Sequence, residues 1–383
     1  MNRIFTKSLF FVVIFKLILL SQADAQTITI NPVDPGPYGQ GSTISVPVHV
    51  DNSTGCIKPG NTYNLYLSDA SGSFTSQTLI GTFTDFYATY VNGIIPIGTP
   101  PGAGYQVRVI STTPVVTSST SAAFTISGSS GVTASINSAM INPSFPEVFG
   151  SCNGVNNTSY SFIDQSTAGS SVTAAFFNEQ SQTVESTIPV APNGTFIAKN
   201  SNYTINVKAK NGGIVGTKSF ILINNSVSTS FGATGSNSVC LSNGNGLTYN
   251  VDISSVNGIQ NNFPGLVYNV KWGDGVTSAY TFCNILASGG KISHTYLKSS
   301  CGNTANGQTN SFEVDLQPNN KYCGNVGTQV TSYAKVVSAP INNFAAPAAG
   351  CTNFNILFIN NSYPGDDPNN TTSGCANAAA NYT

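Results

Sequence analysis

Hydrophobic and polar residues alternate along most of this chain, in short runs separated by glycine, proline, asparagine and serine. Three such runs lie in its first third: Ile44-Val46-Val48-Val50, Tyr63-Leu65-Leu67 and Tyr105-Val107-Val109. Successive side chains of a β-strand point to opposite faces, so residues at every second position share one face. The pattern therefore predicts half-buried strands rather than helices. We expect His49, between Val48 and Val50, to be exposed.

Similar runs continue through the rest of the chain, at residues 159–163, 172–177, 194–197, 203–209, 218–223, 247–253, 267–272, 311–316 and 329–337. Asn211-Gly212-Gly213 is a hairpin signal, because asparagine and glycine tolerate the positive φ that tight turns require. We find no amphipathic helix after the first 25 residues. One β-sandwich needs about 100 residues, so a chain of 383 residues can hold three or four.

The predicted fold class is therefore all-β, with tandem immunoglobulin-like sandwiches after a cleaved signal peptide. We place the signal peptide at 1–25, immunoglobulin-like domains at 26–128 and 129–225, a third sandwich at 226–338, and the incomplete start of a fourth at 339–383. We expect the chain to be the N-terminal piece of a longer protein.

The third domain holds a strand, a Gly-Asp-Gly turn and a later aromatic: Tyr268, Trp272, Gly273, Asp274, Gly275, His294 and Tyr296. This set resembles the core motif of PKD domains, which reads Tyr-x-Trp-x-Phe-Gly-Asp-Gly followed by His-x-Tyr. Val270 stands where that family has tryptophan, and Trp272 where it has phenylalanine. The resemblance implies a PKD-like sandwich in which His294 packs or bonds to a turn. By the same resemblance, the stretch 339–383 begins a further PKD-like domain.

The first domain carries a longer pattern, at residues 60–74, 79–82, 94–96 and 102–114. It is similar to the immunoglobulin-like domain near the N-terminus of large surface adhesins of gliding Bacteroidetes, which the type IX system secretes. The resemblance implies a cell-surface protein of attachment and gliding. Arg108 lies between inward residues, so we expect it to point outward and to form a surface ion pair with Asp69 or Asp85. A ligand contact is the alternative.

Charged residues make up 8 % of the chain, and 14 Lys and Arg face 15 Asp and Glu. An average soluble domain is about 25 % charged. Without a basic stripe, neither nucleic acid nor an anionic membrane surface is an expected partner. The solubility of the chain must therefore come from hydroxyl and amide groups. Such an uncharged composition is more typical of an extracellular stalk than of a cytosolic enzyme.

The N-terminus predicts export. Arg3 and Lys7 precede an apolar run from Leu9 to Leu20, interrupted by Lys16, and Ala23-Asp24-Ala25 offers small residues to a signal peptidase. We expect cleavage after Ala25 and no membrane span in the mature chain.

Eight cysteines follow the predicted cleavage site, and an even count in an exported chain indicates disulfides. Of the three pairings open to the four cysteines of the third domain, we favour Cys283–Cys301 with Cys240–Cys323. Cys351–Cys375 would bridge a loop of the fourth, and Cys56 and Cys152 could pair with each other or with something else. A zinc site would need close Cys or His spacing, which is absent.

The sequence offers little catalytic chemistry. His49 and His294 are its two histidines, and for both a structural position is favoured over a catalytic triad. The acids of the third domain are Asp252, Asp274, Glu313 and Asp315, and the turn already explains Asp274. We expect no cofactor. Asp366-Asp367 could bind calcium through oxygen ligands, but a solvated turn is favoured.

We therefore predict a non-catalytic adhesin segment, secreted to the cell surface and associated with the outer membrane. Its expected partners are a substratum or polysaccharide and the cell-surface motility or secretion machinery. Two alternatives remain: spacer or binding modules of a secreted polysaccharide-degrading enzyme, and a structural filament subunit.

Overall fold

The alternating runs fold as β-strands in a computed structural model of the chain. It describes residues 27–51, 60–85, 88–151, 154–224, 230–241, 246–252, 265–345, 355, 359–367 and 375. The predicted signal peptide, together with Cys56, Cys152 and Cys351, lies outside the described residues, so those expectations stay predictions. The chain divides into two units, residues 1–131 and 132–383.

The first unit holds the first sandwich. Its strands are β1 (Thr27–Ile30), β2 (Tyr38–Gln40), β3 (Thr43–Asp51), β4 (Thr62–Leu67), β5 (Thr78–Thr84), β6 (Tyr90–Ile94), β7 (Gly102–Tyr105), β8 (Val107–Ser111) and β9 (Phe124–Ser130). They form the sheets β1-β3-β6 and β5-β4-β8, and β9 pairs with both β2 and β7. The inward residues of the three predicted runs are at most 3 % exposed, and His49 is exposed. The strand predictions for this unit are confirmed.

The second sandwich opens the second unit. Its strands are β10 (Ile136–Asn137), β11 (Ile141–Asn142), β12 (Phe145–Gly150), β13 (Thr158–Asp164), β14 (Ser171–Asn178), β15 (Thr183–Pro189), β16 (Asn193–Ala198), β17 (Ser201–Asn211) and β18 (Ile214–Asn224). One sheet is β10-β13-β16, and the other runs β15-β14-β17-β18 with β12 beside β18. The predicted hairpin joins β17 to β18, with Gly212 and Gly213 at φ 54° and 88°. A phenylalanine-rich core lies between the sheets.

The third sandwich follows. Its elements are β19 (Phe231–Ala233), β20 (Ser238–Cys240), β21 (Leu247–Val251), β22 (Val267–Lys271), β23 (Thr277–Thr281), α1 (Phe282–Ala287), β24 (Lys291–His294), β25 (Thr304–Ala305), β26 (Gln308–Thr309), β27 (Phe312–Asn320), β28 (Gly324–Asn325) and β29 (Val330–Val337). One sheet is β19-β21-β24, and the other is β20-β29-β27-β22-β23. Trp272, fully buried, is among the largest side chains of the core.

All three sandwiches repeat one topology at their first edge. The opening segment pairs antiparallel with one sheet, as β1 does with β3, β10 with β13, and β19 with β21. It then crosses to the other sheet and pairs parallel with the last strand, as in β2–β9, β12–β18 and β20–β29. Each sandwich thus divides its first strand between its two sheets, and a short strand covers the edge of each.

One expectation about secondary structure is wrong, because a six-residue helix, α1, follows β23. Thr281 caps it through a reciprocal pair of bonds with Asn284, and Ile285 is fully buried. A helix of under two turns is too short to show a 3.6-residue period, so the alternation could not reveal it.

Beyond the third sandwich, the structure describes a short pairing of β30 (Phe344–Ala345) with β31 (Ile359–Asn360). These residues belong to the second unit, and a fourth domain at 339–383 stays a prediction. Among the described residues, no helix has the length and apolar character needed to span a membrane.

Candidate functional site in the third sandwich

A tight turn after β22 positions the residues that the sequence singled out. Gly273 and Gly275 take φ values of 80° and 95°. A Cβ at Gly273 would lie 2.5 Å from the carbonyl oxygen of Glu313. The amide of Trp272 donates to the carbonyl of Val276, whose own amide donates to Asp274 Oδ1 at 3.0 Å. The turn therefore requires glycine at Gly273 and uses one carboxylate oxygen of Asp274 to close itself.

The second carboxylate oxygen of Asp274 reaches the opposite sheet. His294, the last residue of β24, places Nε2 2.8 Å from Asp274 Oδ2. The side chains of His294 and Asp274 are 12 % and 5 % exposed. Because β24 and the β22–β23 hairpin belong to different sheets, this bond ties the two sheets together.

Aromatic rings enclose His294. Its ring stacks on Trp272, with centroids 4.6 Å apart and planes within 6°. It also meets Tyr296 edge to face, at 4.6 Å and 87°. The indole Nε1 of Trp272 donates to Ser278 Oγ at 2.8 Å, so the polar atom of this buried ring is satisfied.

Two tyrosine hydroxyls lie beside the rings that enclose His294. Tyr249 and Tyr296 bond to each other at 3.1 Å between hydroxyl oxygens, and Tyr296 stacks on Phe312. Burial raises the pKa of Tyr249 to about 12, and burial together with neighbouring Tyr249 raises the pKa of Tyr296. Both hydroxyls therefore stay protonated in neutral solution. We call Trp272, Asp274, His294 and Tyr296 the Trp-His-Asp-Tyr cluster; Tyr268 lies fully buried in the same core.

This geometry is that of a packing and hydrogen-bonding cluster. Among the contacts the structure describes, His294 meets a carboxylate and two rings but no nucleophilic hydroxyl or thiol. Asp315 on β27 accepts from Thr331 Oγ1 at 2.7 Å. Asp252 follows β21 at the end of that strand away from Leu247, the residue that pairs with His294.

The disulfide pattern corrects the predicted pairings. Cys301 is bonded to Cys375, with Cα atoms 5.3 Å apart, so both Cys283–Cys301 and Cys351–Cys375 are wrong. Cys240 is free and exposed whereas Cys323 is disulfide-bonded, so Cys240–Cys323 is wrong as well. Spacing along the chain could not give the answer, because the bond joins the third sandwich to a segment that returns from 74 residues away.

Asp366 anchors that returning segment. Its Oδ2 accepts from the amide of Ser338 at 2.6 Å and from Ser299 Oγ at 3.2 Å. The hydroxyl of Tyr363 donates to Oδ1 at 2.6 Å. Burial acts to raise the pKa of this carboxyl, but the donors Tyr363, Ser338 and Ser299 outweigh it and hold the pKa below its usual value. Both oxygens thus have protein donors; calcium binding at Asp366-Asp367 stays a prediction.

In the first sandwich, Arg108 makes contacts that differ from the predicted ion pair. Its Nε donates to Gln77 Oε1 at 2.9 Å, and its guanidinium lies 4.5 Å from the centroid of the Phe74 ring. The carboxylate of Asp69 instead accepts from the amides of Ser71 and Ser73 in its own turn. The planar guanidinium gains more from an adjacent ring and amide than from an exposed carboxylate.

Sequence reasoning missed a pair of glutamates at one end of the second sandwich. Glu179 follows β14 and Glu185 lies on β15, so the β14–β15 hairpin brings both to the same end. Lys199 and Asn178 donate to Glu185 Oε1, and Tyr203 donates to Oε2. Glu179 accepts from Thr204 and Gln182. The available signal was two glutamates six positions apart in a chain with only 15 acidic residues.

These glutamates have opposite pKa shifts. Burial raises the pKa of Glu179 to about 7, against the hydrogen bonds from Thr204 and Gln182. Burial also acts to raise the pKa of Glu185, but its donors, led by Lys199, lower it overall. Glu179 therefore holds a proton in the folded state at pH values where the unfolded chain has lost it.

We expect the second sandwich to lose stability as the pH rises from about 4.5 to about 7, because the folded state then binds the extra proton of Glu179. The loss is about 1–2 kcal/mol after discounting the shift for partial exposure. Urea unfolding followed by circular dichroism at several pH values measures it.

Glu179→Gln, which keeps an oxygen acceptor for Thr204, should remove this pH dependence. Glu185→Gln is the matched control: it should keep the loss between pH 4.5 and 7 and remove a different one, at lower pH, where the wild-type Glu185 becomes protonated. Identical pH profiles for wild type and Glu179→Gln would contradict the assignment.

Comparisons with known proteins found similar chains among solved structures only. No protein-family model matches this chain, and no curated protein does. Three domains of the highly immunogenic outer capsid protein Hoc of bacteriophage RB49 are similar, at 12 % identity, 82 % coverage of this chain, 99 % of that chain and a TM-score of 0.22. The FN1–FN3 domains of chicken CNTN1 are similar at 10 % identity, with 81 % of this chain and 97 % of that chain covered and a TM-score of 0.20. The four N-terminal Ig domains of Dscam1 are similar at 10 % identity, with 82 % of this chain and 72 % of that chain covered and a TM-score of 0.25.

The strands and sheets described above make the chain an all-β protein of tandem immunoglobulin-like sandwiches, and the TM-scores of these solved structures are too low to add to that assignment.

Proposed function

We propose that this chain is a non-catalytic segment of a cell-surface adhesin that acts as an extended stalk or adhesive module in surface attachment and gliding motility. The observation that carries the proposal is the threefold repetition of one strand-pairing topology, each time around its own buried residues. Within the described residues, the side chains best suited to chemistry, those of His294, Asp274, Glu185 and Asp366, are bonded to protein partners. Tandem sandwiches supply reach, and internal bonds supply resistance to unfolding.

The gliding context rests on the resemblance of residues 60–114 to the first immunoglobulin-like domain of type IX-secreted adhesins of gliding Bacteroidetes. In this proposal the protein is exported, held at the outer membrane and in contact with the motility or secretion machinery. Its outer partner is a substratum or a neutral polysaccharide. A chain with only 8 % charged residues supports that choice, because a neutral glycan can then approach with little desolvation of charge.

The first experiment concerns the native protein. An antibody raised against residues 27–337 should label intact cells, and protease treatment of those cells should remove the label. The precipitated protein should contain peptides of further sandwich repeats, read by mass spectrometry after a digestion that does not depend on the 14 basic residues. Peptides from a catalytic domain would instead favour the enzyme alternative. Self-assembly of the purified chain would favour the filament subunit.

A further inference from the structure

Between the second and third sandwiches, the chain makes a contact beyond the covalent connection. The last strand of the second sandwich ends at Asn224, and the first of the third begins at Phe231. A connection of this length, by itself, leaves two domains free to take many orientations. The additional contact joins the tip of the β11–β12 hairpin to the turn between β27 and β28.

Aromatic rings form the centre of this contact. Phe145, the first residue of β12, meets Tyr322 edge to face, with centroids 4.9 Å apart and planes at 85°. Lys321 Nζ lies 5.0 Å from the Tyr322 ring and 5.8 Å from the Phe145 ring. Tyr322 is only 9 % exposed although it lies in a turn. Phe145 of the second sandwich and Lys321 both lie against this ring.

A hydrogen bond fixes the register of the two elements. Asn142 Nδ2 donates to the carbonyl of Tyr322 at 2.8 Å, while Asn142 Oδ1 accepts from the amide of Ser144 in its own hairpin. On the other side, Asn320 Oδ1 accepts from the amides of Tyr322 and Cys323. Each partner is therefore held in shape by an asparagine before the two meet, and such preorganisation reduces the entropy lost on contact.

We propose that Asn142, Phe145, Lys321 and Tyr322 form a specific joint that locks the second and third sandwiches into one rigid body. This goes beyond the proposed function, because it concerns how force passes from one sandwich to the next rather than what the chain binds. An edge-to-face pair, a cation over two rings and one hydrogen bond are individually weak, but together they favour one orientation by about tenfold or more. Force or motion applied to one sandwich then reaches the next without a hinge between them.

Hydrogen exchange of the full chain, read by mass spectrometry, tests the joint. In Phe145→Ala, peptides covering 320–326 in the other sandwich should exchange about three to ten times faster, because their protection depends on the docked hairpin. Tyr322→Ala should accelerate exchange in 141–150, since coupling between two sites is reciprocal. Phe145→Leu, which keeps an apolar side chain, should give a smaller increase.

The matched control is Ile163→Ala, which shortens an apolar side chain that is 52 % exposed on the same sandwich. It should leave exchange in 320–326 unchanged. Phe145 is half-buried at the start of its strand, so its truncation leaves the sandwich core intact. Wild-type exchange in 320–326 in the Phe145→Ala chain would overturn the joint, and it would leave the adhesive function to its own test.

Discussion

His294→Ala should destabilise the third sandwich by about 2–4 kcal/mol, because it leaves the carboxylate of Asp274, 5 % exposed, without its cross-sheet partner. It also removes the ring that lies between Trp272 and Tyr296. The chain has one tryptophan, and it lies in this cluster, so its fluorescence reports unfolding of the third sandwich alone. The urea midpoint of that signal should fall by about 1–2 M.

His49→Ala is the control, because it removes the second of the two histidines from an exposed position on β3. Its effect should stay within about 0.5 kcal/mol, as for other exposed substitutions. Asp274→Asn tests the other half of the bond and should lower the midpoint less than His294→Ala, since the rings remain packed. An unchanged midpoint in His294→Ala would show that the cluster does not hold the sheets together.

Loss of the Cys301–Cys375 bond is the second large effect. Linking residues 74 apart removes conformational entropy from the unfolded chain, which corresponds to about 4 kcal/mol. Cys375→Ser should therefore lower the urea midpoint of the Trp272 signal and increase proteolysis of the segment around Asp366. A peptide map under non-reducing conditions should contain a cross-linked peptide pair joining Cys301 to Cys375.

Cys240→Ser is the matched control, because Cys240 is free and exposed. It should change neither the peptide map around Cys301 nor the unfolding midpoint. A map that links Cys301 to Cys283 would restore the pairing expected from the sequence and would contradict the structure.

Much of the fold is predictable because a strand with one buried face has a two-residue period. Tyr63, Leu65 and Leu67 show that period directly, and all are buried. The Gly-Asp-Gly turn likewise identified Trp272 and Asp274, since few residues tolerate positive φ. The sequence pattern predicted strands and turns correctly where residues close together in the chain determine the structure.

The features that the sequence did not predict depend on contacts between residues far apart in the chain. The partner of Cys301 was hidden because Asp366 returns the chain to Ser299 and Ser338, an arrangement that spacing does not encode. The division of each first strand between two sheets involves pieces as short as two residues, too short for a period. The burial of Tyr322 was equally invisible, because its partner Phe145 belongs to another sandwich.

The most direct test of the adhesin account is deletion of the gene in the source organism, followed by measurement of attachment and spreading on polysaccharide-coated surfaces. The account predicts that both are lost, that the full-length gene restores them, and that polysaccharide hydrolysis in the culture stays at the wild-type level. Normal attachment and spreading with reduced hydrolysis would contradict it and would assign these sandwiches to a secreted enzyme.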